Sequence, residues 1–151
     1  SLYPQALDQW YRDNIASDFP EVRTEISTLL QVEAELQEIV QLVGSDALPI
    51  DQQLTLEVAR MIREFFLQQN AFHDVDTYSD LKLQYDMARA ILSFQEEAKK
   101  AMAGGSQLED VVNVPARTDL MRGRFEKGYD EKIEDLVSEM SKQISASMEA
   151  N

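Results

Sequence analysis

Cysteine is absent from these 151 residues and histidine occurs once. A disulfide frame, a thiolate metal site and a zinc cage built on several imidazoles are all excluded. Basic residues are scarce: 14 Lys and Arg stand against 28 Asp and Glu, a net charge of -14. Such a surface repels nucleic-acid phosphates and anionic lipid heads and favours a cationic partner, so neither nucleic-acid binding nor membrane insertion is expected. No run of about 18 apolar residues is present to span a bilayer, and no basic, apolar, small-residue leader opens the chain. The first residue is Ser1 rather than Met, which reads as a processed or excised segment of something larger, soluble and cytosolic. Catalytic signatures are missing as well: neither a GxxxxGK[ST] phosphate loop, a GxGxxG fingerprint, a GxSxG elbow nor an HExxH helix occurs.

Four prolines and five glycines, with abundant Leu, Glu, Gln, Ala and Met, favour helix over sheet. The length suits one domain, since a chain of about 150 residues buries roughly two-thirds of its unfolded surface. LYPQALDQWYRDNI reads as a short first helix with Leu2, Leu7, Trp10, Tyr11 and Ile15 turned inward. Asp18 is placed to cap a second helix, with Glu21 three positions on for a reciprocal contact. From Val22 the stripe continues through Ile26, Leu29, Leu36, Val40 and Val43, broken by Glu33, and Gly44 supplies the stop.

A third helix from Ile50 to Gln68 carries two stripes, Leu54, Val58, Met61, Phe65 and Leu56, Ala59, Ile62, Phe66, so it should be the most buried. FFLQQNAFHDVDTY, residues 65–78, then reads as a connection of unusual composition. Ser79 can cap a fourth helix bearing Leu81, Tyr85, Ala88 and Leu92 on one stripe and Leu83, Met87, Ala90, Ile91 and Phe94 on another, ended by AGGS at 103–106. QLEDVVNVPARTDLMRG reads as a short helix and a Pro-marked turn. A last amphipathic helix carries Tyr129, Ile133, Leu136, Met140, Ile144 and Met148, with SASMEAN as a fraying tail. The expectation is an all-α bundle of about five to six helices.

Individual side chains offer little chemistry on their own. His73, Asp74 and Asp76 are too few for a convincing metal site and read as solvated surface. Glu33 on an apolar seam is expected to snorkel or to pair with a nearby Arg. Asp8, Asp13 and Asp18 near Arg12 and Arg23 read as solvated charge. The methionines fall at helical packing positions. Trp10 and Tyr11 beside Leu7 suit either core or a docking surface for a preceding domain, and the sequence leaves both open.

Two stretches carry a resemblance. EAELQEIVQLVGSDALPIDQQLTLEVARMIREFFLQQNAF, residues 33–72, resembles the C-terminal helical domain of the catalytic A subunit of archaeal-type rotary ATP synthases, kin to the vacuolar proton pumps. ELQEIVQLVG, VARMIREFFLQQ and AF…VDTY match in order and spacing, WYRDNI ahead and the Q-Y…A-I-L-S-F helix behind fit too, and the likeness thins after Gly105. The β subunit of F-type ATP synthases is a more distant likeness, set apart by the QQNAF spelling, the VDTY ending and the long continuation. One departure is Ser79-Asp80, where relatives often carry Cys and Pro.

The resemblance implies a domain spanning residues 1–151 whose nucleotide-binding part lies elsewhere in the subunit. The whole enzyme would couple ATP synthesis or hydrolysis to proton or sodium transport, with ATP or ADP and Mg bound in the full subunit. This piece alone would be inactive, with no cofactor and no catalytic residue of its own. Implied partners are the B subunits of the catalytic hexamer and the central stalk subunits, in a complex peripheral to the cell membrane on its cytoplasmic side. The aromatic Phe72 would form part of the adenine pocket, with Gln69 and Asn70 offering amides and Tyr78 lining it. The turn GSDALPID, residues 44–51, would touch the rotor stalk through Asp46, Leu48, Pro49, Ile50 and Asp51, with shape and apolar contact mattering more than charge. The rival expectation is a free-standing acidic helical adaptor that binds a basic protein.

Overall fold

The computed structural model describes residues 2–72, 78–124 and 126–149; for Leu2, Tyr3, residues 67–72, Tyr78 and Ser79 it describes the backbone alone. Among the described residues there are seven α-helices, one 3-10 turn and no strand. They are α1 (Leu2–Asn14), α2 (Phe19–Val43), α3 (Ile50–Phe72), α4 (Tyr78–Ala103), α5 (Leu108–Val112), α6 (Pro115–Gly123) and α7 (Tyr129–Glu149), with the 3-10 turn at Ser45–Ala47. The fold is an all-α bundle.

α3 and α4 form its centre. Val58, Phe65, Met87, Ile91 and Phe94 are fully enclosed along their seam, α2 packs on one side, and α7 closes the other through Tyr129, Ile133, Met140 and Ile144. This matches the stripes of the third, fourth and last helices. α4 shares the centre with α3, because its small residues Ala88, Ala90, Ala98 and Ala101 are buried on more than one side and let neighbouring helices approach closely. Met61, Met87, Met121 and Met140 are buried, as packing residues should be.

Several boundaries differ from the sequence reading, each for a physical reason. The capping box at the start of α2 does not form, because both acids are taken by other partners. Asp18 precedes the helix without a side-chain cap; instead its carboxylate accepts from the Tyr85 hydroxyl at 2.5 Å. Glu21 receives both Arg12 Nη1 at 2.9 Å and Nη2 at 2.5 Å. That guanidinium holds the Glu21 carboxyl below its usual range. α3 continues to Phe72, so the first half of the expected connection is helical. α4 begins at Tyr78, placing Ser79 inside the first turn rather than before it.

The stretch after Gly105 holds two helices rather than one. Val114 is extended (φ -60, ψ 134), as a residue before proline prefers, and Pro115 then opens α6 at the position where its missing N–H costs nothing. Another orphan donor of that first turn, Ala116 N–H, is satisfied by Gln143 Oε1 of α7 at 2.8 Å. α7 stays helical through Glu149 instead of fraying at Ser145. Ser147 is tied to Ser106 at 2.7 Å across the bundle and donates to the Ile144 carbonyl at 2.5 Å. Gly123 admits the Tyr129 ring: a Cβ there would stand 2.8 Å from two ring carbons. The Tyr129 hydroxyl donates to the Leu120 carbonyl at 2.5 Å.

The charged side chains drawn inward each bridge helices. Glu33 is buried on α2 with Arg63 Nη2 of α3 at 2.6 Å, the pairing expected for it. The contact is Coulombic rather than directional, since Oε2 lacks a well-aligned hydrogen bond. Arg117 of α6 is the more elaborate case. Its Nη2 reaches Glu57 Oε2 at 3.0 Å and the Glu57 carbonyl at 3.2 Å, and Nη1 reaches the Val112 carbonyl at 3.1 Å. The guanidinium carbon lies 5.1 Å from the centre of the Phe94 ring. One side chain thereby joins α3, α4, α5 and α6.

Replacing Arg117 with Ala takes a donor from two carbonyls and leaves the Glu57 carboxylate, in a mostly buried place, with only the longer 3.6 Å contact to Arg60. The expected loss is about 2–4 kcal/mol, the range for breaking a largely buried, hydrogen-bonded charge pair. Urea unfolding measures it, and Arg117→Lys should recover only part because an ammonium lacks the planar fork. A loss of only a few tenths of a kcal/mol, typical of exposed pairs, would show that the tie is ornamental.

Tyr85 gives a pH signature. Burial, then the hydrogen bond to Asp18, push its phenol up to about 12 from 10.0. The folded chain therefore keeps this proton where the unfolded chain has lost it, so the contribution is complete below pH 10 and is lost as pH rises to about 12. Burial pushes the Tyr129 phenol upward in the same direction. Urea midpoints for the parent and for Tyr85→Phe should converge across that window; curves that stay parallel would exclude the linkage.

Candidate functional site

The tip of the α2–α3 hairpin is built by the chain's own turn chemistry. Gly44 adopts φ 87, ψ 158, a region that is essentially glycine-only, while its N–H still bonds the Val40 carbonyl at 2.8 Å. The turn is then stitched by Leu48 N–H to the Ser45 carbonyl at 3.1 Å and Gln52 N–H to the Pro49 carbonyl at 3.0 Å. Gln53 Nε2 adds a bond to the Leu48 carbonyl at 2.9 Å. With this many internal bonds over so few residues, the tip is a stiff knuckle.

Its surface is partly what the sequence suggests. Asp46, Pro49, Ile50 and Asp51 are exposed, as a contact surface requires. Leu48 is turned inward, only 5% exposed, and fills the space beneath the turn, so it supports the tip rather than presenting itself to a partner. The outward apolar surface comes instead from Leu42 (86% exposed), Val43 (62%) and Ile50 (52%), with Ile39 one turn earlier also exposed. Sequence reasoning misses Leu42 and Ile39 and puts Val43 on the inner stripe. Their spacing of three and four residues places them on one face of α2, a signal that is present but overshadowed by the longer stripe. Exposed leucine and valine next to two carboxylates suit a partner with an apolar contact surface rimmed by cations.

The residues expected at the other site belong to the opposite end of α3 and the start of α4. Gln69, Asn70 and Phe72 fall in its last turn and Tyr78 opens α4, but the side chains of these four lie outside the described residues. His73, Asp74 and Asp76 lie outside them entirely. Among the described residues no group of three or more His, Cys, Asp or Glu comes together in a metal-binding arrangement. Nor is any helix among them long and apolar enough to cross a membrane.

A separate cleft of about 280 Å³ lies between α2, α3 and α4, walled by Tyr11, Phe19, Ile26, Phe66 and Tyr85, with Arg23 at its side. Its aromatic wall is organised: Tyr11 and Phe19 stack at 4.5 Å between centroids, and Phe19 and Tyr85 at 6.2 Å.

Comparison with known proteins bears on which of these features matters. Residues 8–112 match the family described as the C-terminal domain of V and A type ATP synthase. The A subunit of the A-type ATP synthase of Natronomonas pharaonis is 51% identical over 144 residues, covering 95% of this chain and 25% of that protein. Its counterpart in Methanosarcina barkeri is 43% identical over 146 residues, covering 97% of this chain and 25% of the relative. The V-type ATP synthase alpha chain 1 of Clostridium tetani is 46% identical over 149 residues, covering 99% and 25%. The chain thus spans about a quarter of the length of these relatives. Its helical order, its hairpin and these matches across nearly all its length lead to one assignment: the chain belongs to the family of C-terminal domains of V- and A-type ATP synthases.

Proposed function

We propose that this chain serves as the helical arm of a catalytic A subunit in an A-type rotary ATP synthase. Its α2–α3 hairpin delivers nucleotide-dependent movement to a central stalk. The observation that carries the reading is the bare apolar tip, Leu42, Val43 and Ile50, on a knuckle held rigid by its own hydrogen bonds. An exposed cluster of this kind on a chain so rich in charge costs solvation unless something covers it. The relatives carrying the same domain are named as ATP synthase subunits.

α3 supplies the mechanical link. It runs 23 residues from Ile50 at the tip to Phe72, roughly 33 Å at the usual helical rise. Clamped by α4 along the seam and by the Glu33–Arg63 and Glu57–Arg117 pairs, it moves as a rod. A small rotation at the Phe72 end becomes a displacement at the tip, which is how closed and open states of a neighbouring site are turned into rigid-body motion. At the Phe72 end, Phe72 stacks on adenine, while Gln69, Asn70 and Tyr78 complete that wall. Mg and the triphosphate are assigned to the rest of the subunit, because no GxxxxGK[ST] phosphate loop occurs in this sequence. In this reading ATP turnover is coupled to proton or sodium movement by the whole complex, with B subunits and central-stalk subunits as partners. The complex sits on the cytoplasmic side, peripheral to the membrane, and the isolated arm does not hydrolyse ATP.

Changing Leu42, Val43 and Ile50 together to Ser in the intact enzyme should leave ATP hydrolysis running but cut its coupling to rotation or ion transport several-fold. The arm's own stability should move by no more than about 0.5 kcal/mol per site, as for other exposed positions. Full coupling in that variant would sink the lever. Phe72→Ala in the intact enzyme should raise the Kd for ATP about tenfold, within the ~1–3 kcal/mol that ring stacking supplies. An unchanged Kd would remove Phe72 from the adenine wall.

A further inference from the structure

α1 packs chiefly on α2, and several of its polar side chains are occupied within the chain. Gln9 donates to Asp13 at 2.8 Å, Asn14 to the Trp10 carbonyl at 2.8 Å, and Arg12 to the Ser17 carbonyl at 2.7 Å as well as to Glu21. Among the exposed residues of α1, two are large and apolar. Leu7 and Trp10, three residues apart and so on one face, are 37% and 43% exposed, contrary to the inward orientation their spacing suggests. Trp10 is the sole tryptophan of the chain, and its ring stands edge-on to Tyr11 at 5.5 Å and 78°, braced rather than loose. A fixed, half-uncovered indole beside a leucine is complementary to an apolar protein surface.

The length of the relatives indicates where such a surface comes from. This chain covers about a quarter of each, and the matched family is a C-terminal domain, so the remaining three quarters precede it in those proteins. α1 is the helix nearest in sequence to that preceding portion. We propose that Leu7 and Trp10 form the face on which the preceding part of the protein docks, through an apolar patch of its own. The proposal rests on the reading of this chain as the C-terminal arm of a catalytic ATP synthase polypeptide. It deepens that reading by naming the joint. A lever transmits force only if its root is fixed, and a covered indole on α1 fixes the root where the α2–α3 hairpin alone does not.

Hydroxyl-radical footprinting read by mass spectrometry tests the joint in both the 151-residue chain and the full-length polypeptide. Trp10 should be oxidised several-fold more slowly in the full-length form, while Leu42 at the far tip reacts equally in both. Equal oxidation of Trp10 in a full-length form that binds ATP overturns the docking face and leaves the lever reading intact. A natural gene product of about this length, with no nucleotide-binding portion, overturns both. As a second arm, Leu7→Ser with Trp10→Gln should leave the thermal midpoint of this chain unchanged yet speed limited proteolysis ahead of α1 in the full-length polypeptide. Unaltered proteolysis there would also overturn the docking face.

Discussion

The grip of Arg117 on four helices is the interaction on which the rest of the architecture depends. A planar guanidinium reaches a carboxylate and two carbonyls at once while lying over the Phe94 ring, a combination open to arginine and to no other side chain. It binds the short C-terminal helices to the α3–α4 seam. Without it α5 and α6, which total 14 residues, are too short to hold a position by their own helical stability. The acidic character of the chain makes the tie more telling. With 14 cationic side chains in total, one is placed deep between helices rather than left on the surface.

That grip has a mechanical result. α3 is held near its start by Arg117, at its middle by the Glu33–Arg63 pair and along one side by the dry seam with α4. From Leu54 to Phe65 it is therefore held as a strut is, by continuous close packing. The tip is stiff for a different reason, its local hydrogen bonds and the glycine-only geometry of Gly44. Rigid body and rigid knuckle together make the hairpin suited to transmitting displacement, which a floppy loop of the same composition would absorb.

Much of the helical layout is legible in the sequence because long amphipathic stripes survive any detail of tertiary contact. α2, α3, α4 and α7 each carry three or more turns of regular apolar spacing, and each is where that spacing puts it. What is illegible depends on which partner each side chain finds in the folded chain, or on elements too short to show a period. Asp18 and Glu21 spell a cap, yet Tyr85 and Arg12 compete for them. Ser147 sits in a sequence that reads as fraying, yet Ser106 holds it. α5 spans five residues, fewer than two turns, so no period can be read from it. At the tip the turn itself is plain from Gly44 and Pro49, but whether Leu48 or Leu42 faces outward is decided by what lies beneath the knuckle. The residues expected at the nucleotide end rest on family likeness, because an aromatic in a last helical turn looks the same to pattern reading whether it plugs a core or faces a ligand.

The diverted cap of α2 bears on how the chain assembles. Because Asp18 gives its carboxylate to Tyr85, a partner 67 residues onward, one part of the polar fastening at the start of α2 is a long-range event, though the helix itself is local. During synthesis, when residues emerge in order, α2 can coil early and hold Arg12 through Glu21, but Asp18 finds its partner only when α4 has been made and has docked. Closing so large a loop is slow compared with coiling a helix. The Asp18–Tyr85 bond is thus a late lock, added after the nearby Arg12–Glu21 pair has already joined α1 to the opening turn of α2.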